Sequence, residues 1–247
     1  MTYRQQVEIF HLLFLRLFSS QTAPTLYAVK GGCNLRFFFG SIRYSEDLDI
    51  DIQKIQKLIL ENKVNKILAS PQLKKALREY HILDINFTSP KQTNTTQRWK
   101  IQLQCNNTIP LNTKIEFSKR DGTFISELGN VTTDICAIYH LPPFRFSHYA
   151  ISEAIQQKIL ALAHRSLTQA RDVFDLYHLL HIEKPKKISL ATTVKEKALQ
   201  AISSIHFEDF KSQVVSFLES NKQSEFNSNS YWKTMCETVE NFIENCT

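Results

Sequence analysis

Residues 29–51 read V-K-G-G-C-N-L-R-F-F-F-G-S-I-R-Y-S-E-D-L-D-I-D, an order that predicts strand, Gly-Gly turn, helix, loop and acidic strand. Three of the five glycines of the chain fall in this stretch, at 31, 32 and 40. Glycine reaches positive φ without steric penalty and lets the backbone approach a ligand closely. A helix starting just after the pair aims its free N–H groups and positive dipole end at an anion, for which phosphate is the natural candidate. A Gly pair after a strand also makes an ordinary tight turn, so the neighbours decide. Those neighbours are Asp47, Asp49 and Asp51, alternating with Leu48, Ile50 and Ile52. With a side-chain period of two, the three carboxylates share one face of the strand and the aliphatics bury the other. Carboxylates side by side repel and raise one another's pKa unless a cation lies between them. The face therefore implies a divalent ion, Mg²⁺, although a solvated acidic edge strand would carry the same alternation.

Working outward, Val7, Phe10, Leu13, Phe14 and Leu17 recur at three- and four-residue steps and predict an opening amphipathic helix that ends near Ser19-Ser20 and Pro24. A short buried strand follows over 26–29, then a helix starting at Asn34 that Gly40 ends. Residues 42–52 alternate as a strand, and 54–80 carry Lys-rich helical patterns broken at Ser70-Pro71. Trp99, Ile101, Leu103 and Cys105 alternate with Lys100, Gln102 and Gln104, Asn106-Asn107 turns the chain, and 114–118 return as an antiparallel partner. In that returning strand Lys114 and Glu116 share a face, which makes Glu116 a candidate third carboxylate, a weak signal when taken alone. After Pro142-Pro143 the pattern turns helical over 151–180 and 192–245, with polar breaks at 183–189 and 221–230. The expectation is an α+β chain of two domains: residues 1–145 as a mixed β-sheet flanked by helices, and 146–247 as a helical bundle.

The composition, 43% hydrophobic and 22% charged, excludes a disordered or fibrous chain, and 247 residues suffice for a packed core without staples. No stretch approaches the roughly 18 consecutive apolar residues of a membrane span, and no signal peptide is read at the N-terminus. Five cysteines without a C-x-x-C pair give neither a disulfide framework nor a zinc ribbon and fit a reducing cytoplasm. The net charge of +6 admits a polyanionic partner such as RNA without requiring one. Eight scattered histidines have no zinc-ligand spacing, and no G-x-S-x-G elbow, P-loop or G-x-G-x-x-G occurs. In the helical half, Lys158, Arg165 and Asp172 are spaced by seven residues, so one continuous helix would set them on nearly one face. Such a face suits neutralisation of a triphosphate; it equally suits an exposed helix surface on which Arg171 and Asp175 form an ordinary i,i+4 pair.

The stretch 29–51 resembles the signature of the AbiEii/AbiGii toxin family of nucleotidyltransferases, a branch of the DNA polymerase β-like superfamily. The later K-I-E-F (114–117) is similar to that family's third acidic strand. E-A-I-Q-Q-K-I-L-A-L-A-H-R-S-L-T-Q-A-R-D-V-F-D-L-Y (153–177) is similar to its helical motif. The resemblance implies a nucleotidyltransferase core in which Gly31 and Gly32 shape the phosphate turn, Asp47 and Asp49 ligate Mg²⁺, and Glu116 completes the metal set or acts as base. It implies roles in nucleotide binding or activity for Lys158 and Asp172, with Arg36, Arg43, Ser45, Arg165, Arg171 and Asp175 in support. Cys33-Asn34 stand where the family commonly has Thr-Ala. The implied reaction moves a nucleoside monophosphate from an NTP to an acceptor hydroxyl with release of pyrophosphate. The implied partners are an RNA or tRNA acceptor and a cognate antitoxin. A protein acceptor, or a silent member that binds nucleotide or a partner, would use the same residues.

Overall fold

Strand and helix boundaries follow the glycines and the capping residues in the computed structural model, which describes residues 1–106, 109–122, 124–183 and 188–246. The chain divides into two compact units, one of Met1–Phe38 with Tyr44–Tyr149 and one of Phe39–Arg43 with Ala150–Thr247.

The first unit opens with α1 (Tyr3–Ser19), started by a capping box in which the Thr2 hydroxyl accepts from the Gln5 N–H and the Gln5 side chain accepts from the Thr2 N–H. Then come β1 (Tyr27–Lys30), α2 (Gly31–Phe38), β2 (Asp47–Ile52), α3 (Lys57–Leu68) and α4 (Pro71–Arg78). The remainder of the unit is β3 (Ile82–Gln92), β4 (Thr96–Cys105), β5 (Leu111–Lys119), β6 (Glu127–Asn130), α5 (Thr133–Ile138) and β7 (Arg145–His148). The seven strands form one mixed sheet in the order β3-β4-β5-β2-β1-β7-β6. β2 runs parallel to β5 and antiparallel to β1, and β1 runs parallel to β7. The apolar alternation fills one face: Val29, Leu48, Ile50, Trp99, Ile101, Ile115 and Phe117 join Phe10, Phe14, Phe18, Leu60 and Leu73 in a single core. Burial of this face against α1, α3 and α4 drives the unit's folding. The opposite face of β2 and β5 is left for polar residues.

The expected helix at 34–39 starts earlier, at Gly31, because φ of +65° there turns the chain from β1 into α2 with no intervening loop. Gly40, at φ +64°, follows its end. β6, α5 and β7 have no counterpart in the pattern reading, since elements of four to six residues are too short to display a period. Of the expected Asn106-Asn107 turn, Asn107 lies outside the described residues, as do 184–187 of the break at 183–189.

The second unit holds α6 (Ile151–His164), α7 (Ala170–Ile182), α8 (Thr192–Ser203), α9 (Phe207–Gln213), α10 (Gln223–Phe226) and α11 (Asn229–Glu244). α6 packs on α7 and α8, and α11 on α7 and α8, around Ile155, Ile159, Leu176, Met235 and Val239. The helical stretch expected over 151–180 holds two helices, α6 and α7. α6 stops after His164, where Arg165 takes extended dihedrals, and α7 starts at Ala170, whose N–H is accepted by the Gln213 side chain at 2.8 Å.

Candidate active site

Strand register sets the carboxylates. Asp49 lies opposite Lys30 of β1 on one side and Glu116 of β5 on the other, and Asp47 lies opposite Lys114. Gly31 sits against this group: a Cβ built on it would stand 3.3 Å from Asp49 Oδ2. The strand-to-helix turn is thus packed directly on the central carboxylate, and the first N–H groups of α2 begin beside it.

The three carboxylates are held differently. Asp47 pairs with Lys114 Nζ at 2.7 Å and Glu116 with Arg98 at 2.5 Å. The Asp49 carboxylate makes no hydrogen bond or ion pair with another described residue. Burial pushes its carboxyl pKa up, and the charges of Asp47 and Glu116 add to the rise against the opposing pull of Lys30 and Lys114. Asp51, which the alternation places on the same face, is removed from the site. It is fully buried, ion-paired with Lys30 at 2.6 Å, and accepts from Arg120 Nε and from the Tyr149 hydroxyl at 2.7 Å each.

Behind β2 lies a supporting shell, of which the family resemblance named Ser45 and left out His11 and Thr113. The Ser45 hydroxyl donates to the Asp47 carbonyl at 2.9 Å, and the Cys33 thiol approaches the same oxygen at 3.3 Å. The Thr113 hydroxyl donates its proton to the Glu46 carbonyl at 2.6 Å. His11 Nε2, 2.8 Å from that hydroxyl oxygen, must therefore be the donor between them. This assigns a neutral Nε2–H tautomer to His11 and fixes the backbone that leads into Asp47. Burial raises the Cys33 thiol pKa well above its ordinary value, so this sulfur packs and bonds but does not attack. The one cue in the sequence was a histidine set in the apolar run F-H-L-L-F-L at 10–15.

Arg36 is buried on α2. Its guanidinium reaches Glu8 at 2.7 Å, and the Tyr139 hydroxyl donates to the same carboxylate at 2.8 Å. These contacts tie α1, α2 and α5 together and place Arg36 in the support of the site.

The helical unit carries its own ionic cluster. Lys158 Nζ lies 3.0 Å from Asp172 Oδ1 and 2.6 Å from Asp175 Oδ2. Arg43 makes a two-pronged pair with Asp175 at 3.0 and 2.8 Å, and Arg165 Nε stands 2.7 Å from Asp172 Oδ2. Lys158, Arg165 and Asp172 do not share one helix face, since α6 ends at His164 and α7 begins at Ala170. Lys158 and Asp172 meet because α6 and α7 pack side by side, and the kink at Arg165 brings its side chain back onto α7. Asp175 is fully buried and belongs to this network, so it does not lie on an exposed helix face. Burial alone would raise the Asp175 pKa, but Arg43 and Lys158 outweigh it and hold the carboxyl well below the usual range. Within the cluster Arg43, Lys158 and Arg165 face two carboxylates, which leaves one positive charge in excess, as suits an anionic ligand. Arg171 is half-buried on α7.

Among the described residues, no three His, Cys, Asp or Glu side chains converge closely enough to hold a metal ion as they stand. The donor set nevertheless fits one. A half-buried carboxylate that makes no ion pair with a described residue, flanked by two more carboxylates at adjacent register positions, offers hard oxygen donors of the kind that suit Mg²⁺. The described residues contain no helix long and apolar enough to cross a membrane.

A family model described as nucleotidyl transferase AbiEii toxin, type IV TA system, matches residues 12–244. No curated protein matches the chain. Among solved structures, JHP933 from Helicobacter pylori is 20% identical with a TM-score of 0.59, over 96% of this chain and 93% of that one. MenT4, a nucleotidyltransferase toxin from Mycobacterium tuberculosis H37Rv, is 17% identical with a TM-score of 0.62, over 98% of this chain and 84% of that one. At these identities the likeness is one of fold.

Proposed function

This chain belongs to the AbiEii family of nucleotidyltransferase toxins, and from that premise we propose that it transfers a nucleoside monophosphate from an NTP to a hydroxyl of RNA, with tRNA as the favoured acceptor and Mg²⁺ as the required ion. The observation that supports the reading is Asp49, a half-buried carboxylate with no ion-pair partner among the described residues, set between Asp47 and Glu116 and under the Gly31 turn.

In the reaction a bond forms between the acceptor oxygen and the α-phosphorus, the α–β phosphoanhydride bond breaks, and pyrophosphate leaves. Asp47, Asp49 and Glu116 would hold Mg²⁺, which when bound supplies positive charge to the phosphates and lowers the pKa of the acceptor hydroxyl. The N–H groups of Gly31 and Gly32 at the start of α2 bind phosphate oxygen. Glu116 would serve as metal ligand or take the acceptor proton, a reading that its register beside Asp49 supports. Ser45 fixes the Asp47 backbone, and Arg36 fixes α2 through Glu8. Lys158 and Asp172 serve nucleotide binding and activity, with Arg43, Arg165, Arg171 and Asp175 in support. A type IV family further proposes a cognate antitoxin as partner.

A second reading, nucleotide binding without transfer, draws on one observation: Asp47 and Glu116 are each engaged by a cation, Lys114 and Arg98. One experiment separates the two. The protein is incubated with each α-labelled NTP, Mg²⁺ and either total tRNA or cell protein, beside an Asp47→Ala/Asp49→Ala control. Label in tRNA that the control lacks supports transfer to RNA, and label in protein moves the acceptor. NTP binding with no label in either pool favours the second reading.

A further inference from the structure

The sheet face that carries the carboxylates continues past them. In register with Asp47 stand Lys114 on β5, Lys100 on β4 and Thr88 on β3; in register with Asp49 stand Glu116, Arg98 and Lys91. Next along, Gln102 lies between Asn112 and Asn86, and Gln104 lies opposite Asp84. Every one of these positions is polar. Neighbouring strands are about 4.8 Å apart, so β4 is roughly 10 Å and β3 roughly 14 Å from the carboxylates of β2.

A solvated sheet face is common in antiparallel sheets, and such a face ordinarily mixes its charges. Here the carboxylates concentrate on β2 and the cations on β4, which carries Lys100 and Arg98 and no carboxylate on this face, while β5 and β3 each carry one cation and one carboxylate. Asp84, at the far end, is already paired with Lys74 at 2.7 Å. Lys91 and Lys100 are exposed and make no ion pair with a described residue. Two cationic rows thus lead to the site from the sheet edge, flanked by the amides of Gln102, Asn112 and Asn86.

We propose that this face of β3, β4 and β5 is the track on which the acceptor lies as a single RNA strand, its phosphates on Lys91, Lys100, Arg98 and Lys114 and its reacting hydroxyl at the carboxylates. The inference rests on the RNA-acceptor reading above and assigns that acceptor a path. The register positions on this face carry no aromatic side chain on which bases could stack, so recognition is of the backbone. Binding is strongly salt-dependent and weakly sequence-dependent, with the amides bonding phosphate and ribose oxygens.

The test uses the full chain and a short fluorescent single-stranded RNA of mixed sequence, titrated at several salt concentrations, beside Lys91→Ala/Lys100→Ala and the reversal Lys91→Glu/Lys100→Glu. Both positions are exposed on strands, so the fold tolerates the changes. With a slope of about −0.7 per phosphate contact on a single strand, the alanine pair is expected to flatten the salt dependence by about 1.4 and weaken binding about tenfold. The glutamate pair should weaken it further. The KM for RNA in the labelling reaction should rise in step, while NTP binding measured without RNA stays unchanged. Wild-type labelling of RNA with unaltered affinity and salt slope in both variants would overturn the track and leave the reaction standing. Salt-sensitive RNA binding that the variants lose, in a wild type that labels no RNA, would support the track and count against the reaction. Label passing into protein in a lysine-dependent way would overturn the track in favour of an acidic protein acceptor.

Discussion

At position 31 the backbone has φ of +65°, and an added Cβ would meet Asp49 Oδ2 at 3.3 Å; at position 40 φ is +64° and the space is open. The left-handed conformation costs a non-glycine residue about 1–2 kcal/mol, so Gly31→Ala and Gly40→Ala should lose similar stability in urea unfolding. Only Gly31→Ala displaces a carboxylate, so monophosphate transfer should fall sharply in it and persist in Gly40→Ala; equal losses would remove the turn from the site. Asp49 tests the same place from the other side. Its charge is half-buried with no ion pair to a described residue, and its pKa is pushed up, so Asp49→Asn should abolish transfer yet leave the thermal midpoint equal or higher, a trade expected where function keeps a destabilising group. A lower midpoint would mean that Asp49 is held for structure. Both residues were legible in the sequence because glycine and aspartate declare their chemistry by type and spacing. His11, Thr113 and Cys33 were not, since a side chain that bonds a distant backbone carbonyl leaves no local period.

The elements were legible in proportion to their length. α1, α3, α4, β4 and β5 show enough turns or alternations to be placed from the residues, and the alternation of β2 correctly put Leu48 and Ile50 in the core. The α6–α7 pair shows where such reading ends: a heptad spacing looked like one helix face, while the ionic cluster arises from two helices meeting after a break at Arg165. Packing of that kind is set by which helix lies beside which, a property absent from any window of sequence. The cluster itself predicts a large mutational effect. Asp175→Ala would leave Arg43 and Lys158 as buried cations short of a carboxylate, and breaking a buried pair from one side costs about 3–5 kcal/mol. The loss of α-helical signal on heating should move to markedly lower temperature. Arg165→Ala, which removes a side chain 40% exposed, should cost far less. If the two variants melted alike, the cluster would not be a buried network in solution.

Across the whole chain, each unit contains at least one histidine whose pKa burial lowers, and this shapes the response to acid. In the sheet unit burial lowers the pKa of His11 to about 3 and of His148 to about 4; in the helical unit burial lowers that of His178, whose Nε2 bonds the Phe39 carbonyl at 2.8 Å. The unfolded chain protonates these imidazoles near their ordinary pKa of about 6.5, whereas the folded chain takes up the protons only at lower pH. Below about pH 6.5 the unfolded state therefore binds more protons, and stability falls by up to about 1.4 kcal/mol per pH unit for each such imidazole. The decline continues toward about pH 4 for His148 and about pH 3 for His11. Asp175, held low, adds to the loss once the pH drops under the ordinary carboxylate pKa of about 4. Asp49, pushed up, works in the opposite sense and offsets part of it. The expected outcome is a urea midpoint that is level above neutrality and falls steadily from about pH 6.5 to pH 4. His148→Gln should have a slope shallower by close to one proton, because glutamine cannot bind the proton that the unfolded chain gains. A midpoint flat over that range would show that the three imidazoles titrate alike in the folded and unfolded chain, and that their burial is not what the structure describes.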